Sequence, residues 1–143
     1  SILDAIGLNR FRPVFVKFPY FLKTNREAII ELINVCLDRN IEGFTIANTH
    51  PVEDLTLSTG RGGLSGKAIF FDTIEMVQEM RKYAGQGPVI NASGGIFNGV
   101  DAYLAMAAGA DTVQILTGMV YRGPGAVGKI IRELNDVREE MRR

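Results

Sequence analysis

The chain has one cysteine, one histidine and no net charge, with 16 Lys and Arg balanced by 16 Asp and Glu. Each scarcity removes a class of protein. A lone Cys36 excludes an internal disulfide and any cysteine-based zinc site, and it suits a reducing compartment. No basic cluster appears before the C-terminal helix, so the footprint of a nucleic-acid partner is missing. No apolar run approaches the roughly 18 residues needed to cross a bilayer, so no membrane segment is expected. The chain opens on Ser1 rather than Met and without a signal-peptide pattern, as expected of a cytoplasmic fragment of a longer protein. What remains is ordinary. The chain is 143 residues long, 46% apolar and 22% charged, enough for a single domain over 1–143 with a sizeable core.

Within that frame the pattern is regular. Pro13–Phe18 is a continuous β-prone run, as expected for a strand covered on both faces. Thr24-Asn-Arg-Glu27 has capping-box spacing, and Ile29, Leu32, Ile33, Cys36 and Leu37 behind it form one helical stripe. Gly43–Asn48 reads as a second strand, followed by a long Gly-, Ser- and Thr-rich loop to Gly66. Asp72 to Ala84 is a helix with Met76, Val77, Met80 and Tyr83 on one face. Pro88–Ser93 is a third strand, and a helix from Asn98 ends at a C-cap glycine, Gly109. Thr112–Thr117 is a fourth strand. The last helix starts near Pro124 and carries Val127, Ile130, Ile131, Leu134, Val137 and Met141 at helical spacing.

Four βα units in succession predict an α/β fold with parallel strands. Two architectures fit: a doubly wound sheet of four strands, or half of a (β/α)8 barrel, whose full form needs about 250 residues. A half barrel would expose two sheet edges and an apolar interior, inviting association with another copy or with a complementary half.

Candidate functional residues gather at strand ends. Lys17 closes the first strand between apolar flanks and could set a positive charge against an anion; the alternative is a lysine snorkelling into water. Asn48 and Thr49 close the second strand, where amide and hydroxyl groups can orient a polar ligand, or simply make a turn. His50 reads as a solvated loop histidine. The Gly60–Lys67 loop resembles a nucleotide-cradling loop but fails the P-loop pattern, because Arg61 and Ala68 stand at required positions. The third and fourth strands run into Gly94-Gly95 and Thr117-Gly118. Backbone N–H groups in such turns can hold phosphate oxygens, and two on successive units point to a phosphorylated ligand. Cys36 reads as core.

Val14-Phe-Val-Lys17, Ala47-Asn-Thr49, Gly62-Gly-Leu-Ser-Gly-Lys67, Ser93-Gly-Gly-Ile96, Gln114-Ile-Leu-Thr117 and Val120-Tyr-Arg-Gly-Pro124 occur in that order. Together they resemble the C-terminal half of the dihydroorotate dehydrogenase family, flavin-dependent TIM-barrel enzymes of pyrimidine biosynthesis. The Gly62–Lys67 motif looks most like the quinone-linked, membrane-associated class, while Pro19-Tyr20-Phe21 is closer to the soluble class. The resemblance implies FMN as cofactor and dihydroorotate or orotate as ligand. It places Lys17 at the flavin ring, Gly66 and Leu116 against FMN, and Gly94, Gly95, Thr117 and Gly118 around the phosphate. Asn48 and Thr49 match substrate-binding residues. Ala47 stands where the quinone-linked class usually has a hydroxyl residue, and Leu116 where Tyr is common. The family's catalytic serine or cysteine base lies in the first half of the barrel, so no catalytic residue is expected in this chain, which alone should bind FMN weakly and be inactive. Rival readings are a non-catalytic half barrel that dimerises around a phosphate-bearing ligand, and a phosphosugar isomerase or aldolase-type barrel.

Overall fold

A computed structural model describes residues 2–6, 10–21 and 25–143. After a short helix α1 (Ile2–Ile6), the chain alternates β1 (Phe15–Lys17), α2 (Arg26–Asp38) and β2 (Gly43–Ile46). A hairpin of β3 (His50–Glu53) and β4 (Arg61–Leu64) follows, then a 3-10 turn over Lys67–Ile69 that runs into α3 (Phe70–Ala84). The second half holds β5 (Val89–Ser93), α4 (Gly99–Ala107), β6 (Thr112–Gln114), the short α5 (Thr117–Arg122) and α6 (Ala126–Glu140).

β1, β2, β5 and β6 form one parallel sheet in that order. A doubly wound sheet reverses its strand order at a switch point; this one does not. The fold is therefore α/β with a singly wound parallel arc, the arrangement of consecutive strands in a (β/α)8 barrel.

Period-two alternation gives the sheet two unlike faces. One carries Phe44, Ile46, Ile90 and Ala92, which are in the hydrophobic core, and Val16 and Val113, which are partly buried against it. Covering it are Ile29, Ile33 and Cys36 from α2, Met76, Val77 and Met80 from α3, Ala102 and Ala105 from α4, and Ile130 from α6. Burying each Ile, Val, Met or Phe among them contributes about 1.5–3 kcal/mol. The opposite face is not the expected apolar interior. The strand register aligns Lys17 with Thr45, Thr45 with Asn91, and Asn91 with Thr112. The Asn91 amide donates to Thr45 Oγ1 at 3.4 Å and accepts from the Thr112 hydroxyl at 3.0 Å. Apolar groups return only toward the N-terminal strand ends, where the Phe15 ring lies over Gly43.

Other differences from the expected pattern are local. The long loop to Gly66 contains the β3–β4 hairpin, paired antiparallel from His50–Leu64 to Glu53–Arg61; its alternation is too short and too glycine-rich to show as two strands. The fourth strand stops at Gln114, and Thr117 opens a helix. In α6, Ile130 is buried and Leu134 is packed on the core, but Val127, Ile131 and Met141 are exposed. The stripe is wider than the surface of α4 that it covers. Thr24, the cap of the expected capping box, lies outside the described residues.

The core assignment predicts a sharp contrast between two phenylalanines. Phe44 is fully buried and Phe71 is 77% exposed. Phe44→Ala should cost about 3–5 kcal/mol in denaturant titration, and Phe71→Ala less than about 0.5 kcal/mol.

Candidate functional site

At the C-terminal end of the sheet, the segments after β1, β2, β4, β5 and β6 enclose a cleft of about 140 Å³. It is lined by Lys17, Thr49, Gly66, Gly94, Gly95, Leu116, Thr117 and Gly118, together with Ser65, Ser93 and Gln114. One cleft thus gathers residues separated by up to a hundred positions in the chain. Asn48 is not among them. It is exposed, its side-chain oxygen accepts the Thr49 N–H at 3.0 Å, and it faces an open hollow under the hairpin beside Arg61 and Gly63.

The glycines are what let these segments meet. Gly95 has φ +69°, and a Cβ there would sit 2.6 Å from Phe70 Cα, so the turn after β5 lies directly on the backbone of α3. A Cβ on Gly118 would stand 2.7 Å from the Ile96 carbonyl oxygen, and one on Gly66 3.1 Å from Thr117 Cγ2. Close packing therefore requires small residues here, and it leaves backbone rather than side chains facing the space.

The donor set has a clear sign. No Asp or Glu lines the cleft. Lys17 has no hydrogen-bond or ion-pair partner among the described residues. The nearby cations are already matched: Lys67 pairs with Asp101, and Arg122 Nη2 lies 2.5 Å from Glu133 Oε1. That salt bridge holds the Glu133 carboxyl below the usual carboxylate range, with the Gly99 N–H adding to the effect. One unpaired ammonium, four glycines and the hydroxyls of Ser65, Ser93, Thr49 and Thr117 suit an anionic, phosphate-bearing ligand. By chemistry, then, these residues fit the phosphate and flavin ends of FMN.

The dihydroorotate dehydrogenase family model matches residues 2–137. This chain belongs to the dihydroorotate dehydrogenase family. It is similar to the dihydroorotate dehydrogenase (quinone) of Coxiella burnetii, 36% identical over 126 residues, covering 82% of this chain and 36% of that relative. The corresponding protein of Burkholderia pseudomallei is 35% identical over 112 residues, 76% of this chain and 33% of its own length. Among solved structures, the dihydroorotate dehydrogenase of Eimeria tenella in complex with ferulenol superposes with a TM-score of 0.78 at 31% identity. That match covers 89% of this chain and 34% of the other. The chain spans about a third of the length of the curated relatives it matches.

Within this family frame, two segments differ from their sequence reading. Half of the Gly60–Lys67 stretch, Arg61–Leu64, is β4, and of the whole stretch only Ser65 and Gly66 line the cleft. His50 is not a solvated loop residue. It begins β3, stacks on Tyr20 with ring centroids 4.1 Å apart, and places Nδ1 3.7 Å from Asp72 Oδ2. The Tyr20 hydroxyl donates to the same carboxylate oxygen at 2.8 Å. Ser93 and Gln114 were missed as lining residues, although strand alternation from Asn91 and Thr112 already places them on the polar face.

Two outcomes follow. Gly95→Ala should lose about 2 kcal/mol or more, from a strained φ and a backbone clash. Gly87→Ala, with open space around it, should be near neutral in the same melts. Burial and then the Asp72 bond push the Tyr20 hydroxyl from 10.0 up to about 12. Folding therefore favours the protonated phenol. That stability is present below pH 10 and lost as pH rises through about 12. Tyr20→Phe should flatten this part of the stability–pH curve.

Proposed function

We propose that this chain supplies the cofactor-binding part of an FMN-dependent dihydroorotate dehydrogenase site, with residues 1–143 forming one C-terminal half-barrel domain. The observation that carries the reading is the acid-free cleft where Lys17 and the glycine turns converge. In it, Gly94, Gly95, Thr117 and Gly118 hold the phosphate through backbone N–H groups and the Thr117 hydroxyl, while Leu116 and Gly66 pack against the ligand between phosphate and ring. When bound, FMN supplies hydride acceptance from dihydroorotate. Lys17 fixes a positive charge where negative charge develops on reduction. Thr49, at the cleft rim, and Asn48, beside it, orient the pyrimidine.

The proton-abstracting base and the remaining substrate contacts come from the complementary half of the barrel. That half also covers the sheet edges at β1 and β6, so the chain alone binds FMN weakly and does not turn over. The complete enzyme works in the cytoplasm, at the membrane surface if it passes electrons to a quinone. Strand spacing argues against a phosphosugar ligand. Lys17 on β1 lies two strands from the turn after β5 and three from that after β6. At about 4.8 Å per strand, these backbone positions stand on the order of 10–14 Å apart, and a ligand reaching both must span that distance less the reach of the Lys17 side chain.

FMN titration, followed by flavin fluorescence, tests this on the chain alone and with the rest of the barrel supplied in trans. Binding is expected to be weak alone and tighter with the complement, and riboflavin should bind less well than FMN. Lys17→Met should weaken FMN binding about tenfold, or about 1.4 kcal/mol, without lowering the melting temperature. Absence of FMN binding in both samples overturns the flavin reading.

A further inference from the structure

The cleft walls are joined by a network of which none of the proposed ligand contacts is a member. Asp101, on the first turn of α4, is 4% exposed. A buried carboxylate is costly unless its oxygens are matched, and both of these are. Oδ1 pairs with the Lys67 ammonium, and Oδ2 accepts the Phe97 N–H at 2.9 Å. Lys67 follows Gly66 directly, and its ammonium lies 4.3 Å over the Phe70 ring. The Phe97 carbonyl is gripped in turn by Arg122 Nη1 at 2.5 Å, and Arg122 is anchored by Glu133, which also accepts the Gly99 N–H at 2.8 Å. The Phe97 backbone is thus held at both its N–H and its C=O. Through it, the Gly66 segment, the turn after β5 and the end of α5 are tied together.

We propose that Asp101 is a positioning residue for the cleft: by holding Lys67 and the Phe97 amide together, it sets the separation of the Gly66 wall from the Gly95 turn that receives the ligand phosphate. Phe97 itself lines the cleft, and its ring end would lie 3.9 Å from a Cβ on Gly66. Movement of this peptide therefore moves a wall. The inference rests on the phosphate reading above, and it adds a residue that touches no ligand.

Asp101→Asn keeps an oxygen for the Phe97 N–H but loses the charge that holds Lys67, whereas Asp101→Ala loses both. Asp111 is the control. Its carboxylate accepts the Ile90 N–H at 2.7 Å and pairs with Arg81 at the opposite end of the sheet, so Asp111→Ala perturbs stability away from the cleft. Two measurements are made on each protein: amide hydrogen exchange at Phe97 without ligand, and affinity for FMN and riboflavin with the rest of the barrel present. Asp101→Ala should speed Phe97 exchange at least tenfold. Both Asp101 variants should weaken FMN about tenfold with riboflavin unchanged, and Lys67→Met should add nothing in the Asp101→Asn background. Asp111→Ala should leave the FMN-to-riboflavin ratio as in wild type.

An unchanged ratio in both Asp101 variants, or an equal loss for both flavins, overturns the proposal. If the wild-type chain fails to distinguish FMN from riboflavin, the phosphate reading falls and the positioning role falls with it. Exchange at Phe97 would then report only that Asp101 clamps the loop.

Discussion

The register of the parallel sheet is the constraint on which everything else depends. It places Val16, Phe44, Ile90 and their neighbours under the helices, and aligns Lys17, Thr45, Asn91 and Thr112 on the other face. Slipping one strand by a single residue would exchange the two sets. It would put a lysine or an asparagine into the dry layer, at several kcal/mol for an unmatched polar group. The same register sends Lys17, Ser93 and Gln114 to the C-terminal end on a common face, so the core and the cleft are consequences of one pairing pattern.

The sequence made much of this legible because its strongest signals were local. Four β-prone runs separated by amphipathic helices sufficed for a parallel α/β fold, and the clustering of small residues after β5 and β6 marked the cleft. Choosing between a doubly wound sheet and a barrel arc needed the strand order, which no local pattern encodes. The β3–β4 hairpin stayed hidden because Gly62 and Gly63 weaken the strand signal and Asp54–Gly60 dominates as turn chemistry. His50 was misread for a related reason. Its stacking partner Tyr20 and its acidic neighbour Asp72 are 30 and 22 positions away in the chain, and only the fold brings them together.

The glycines carry two meanings that the sequence alone could not separate. Gly95 and Gly118 are required by packing, since a Cβ at either would meet backbone atoms at 2.6 and 2.7 Å. That accounts for their identity without any ligand. Yet the same close approach removes side chains from the cleft wall and leaves main-chain groups facing it, which is what an anion-binding surface needs. Packing and binding are therefore not rival explanations at these positions.

Charge is distributed with the same economy. Lys67 and Arg122 stand next to the cleft, but each is neutralised by a carboxylate that also accepts a backbone N–H, from Phe97 in the loop after β5 and from Gly99 at the start of α4. Both cations serve to shape the walls, and neither is left to attract a ligand. The unpaired positive charge on the lining is Lys17, at the β1 edge of the sheet, while the glycine turns follow β5 and the opposite edge strand β6. A ligand held at both ends must be elongated, with an oxygen-rich group for the neutral donors and a second, separate centre of negative charge for the ammonium. A small phosphorylated metabolite with no second anionic group satisfies the first requirement and fails the second. The flavin mononucleotide proposed above would meet both, because its ring gains negative charge on reduction at the end remote from its phosphate.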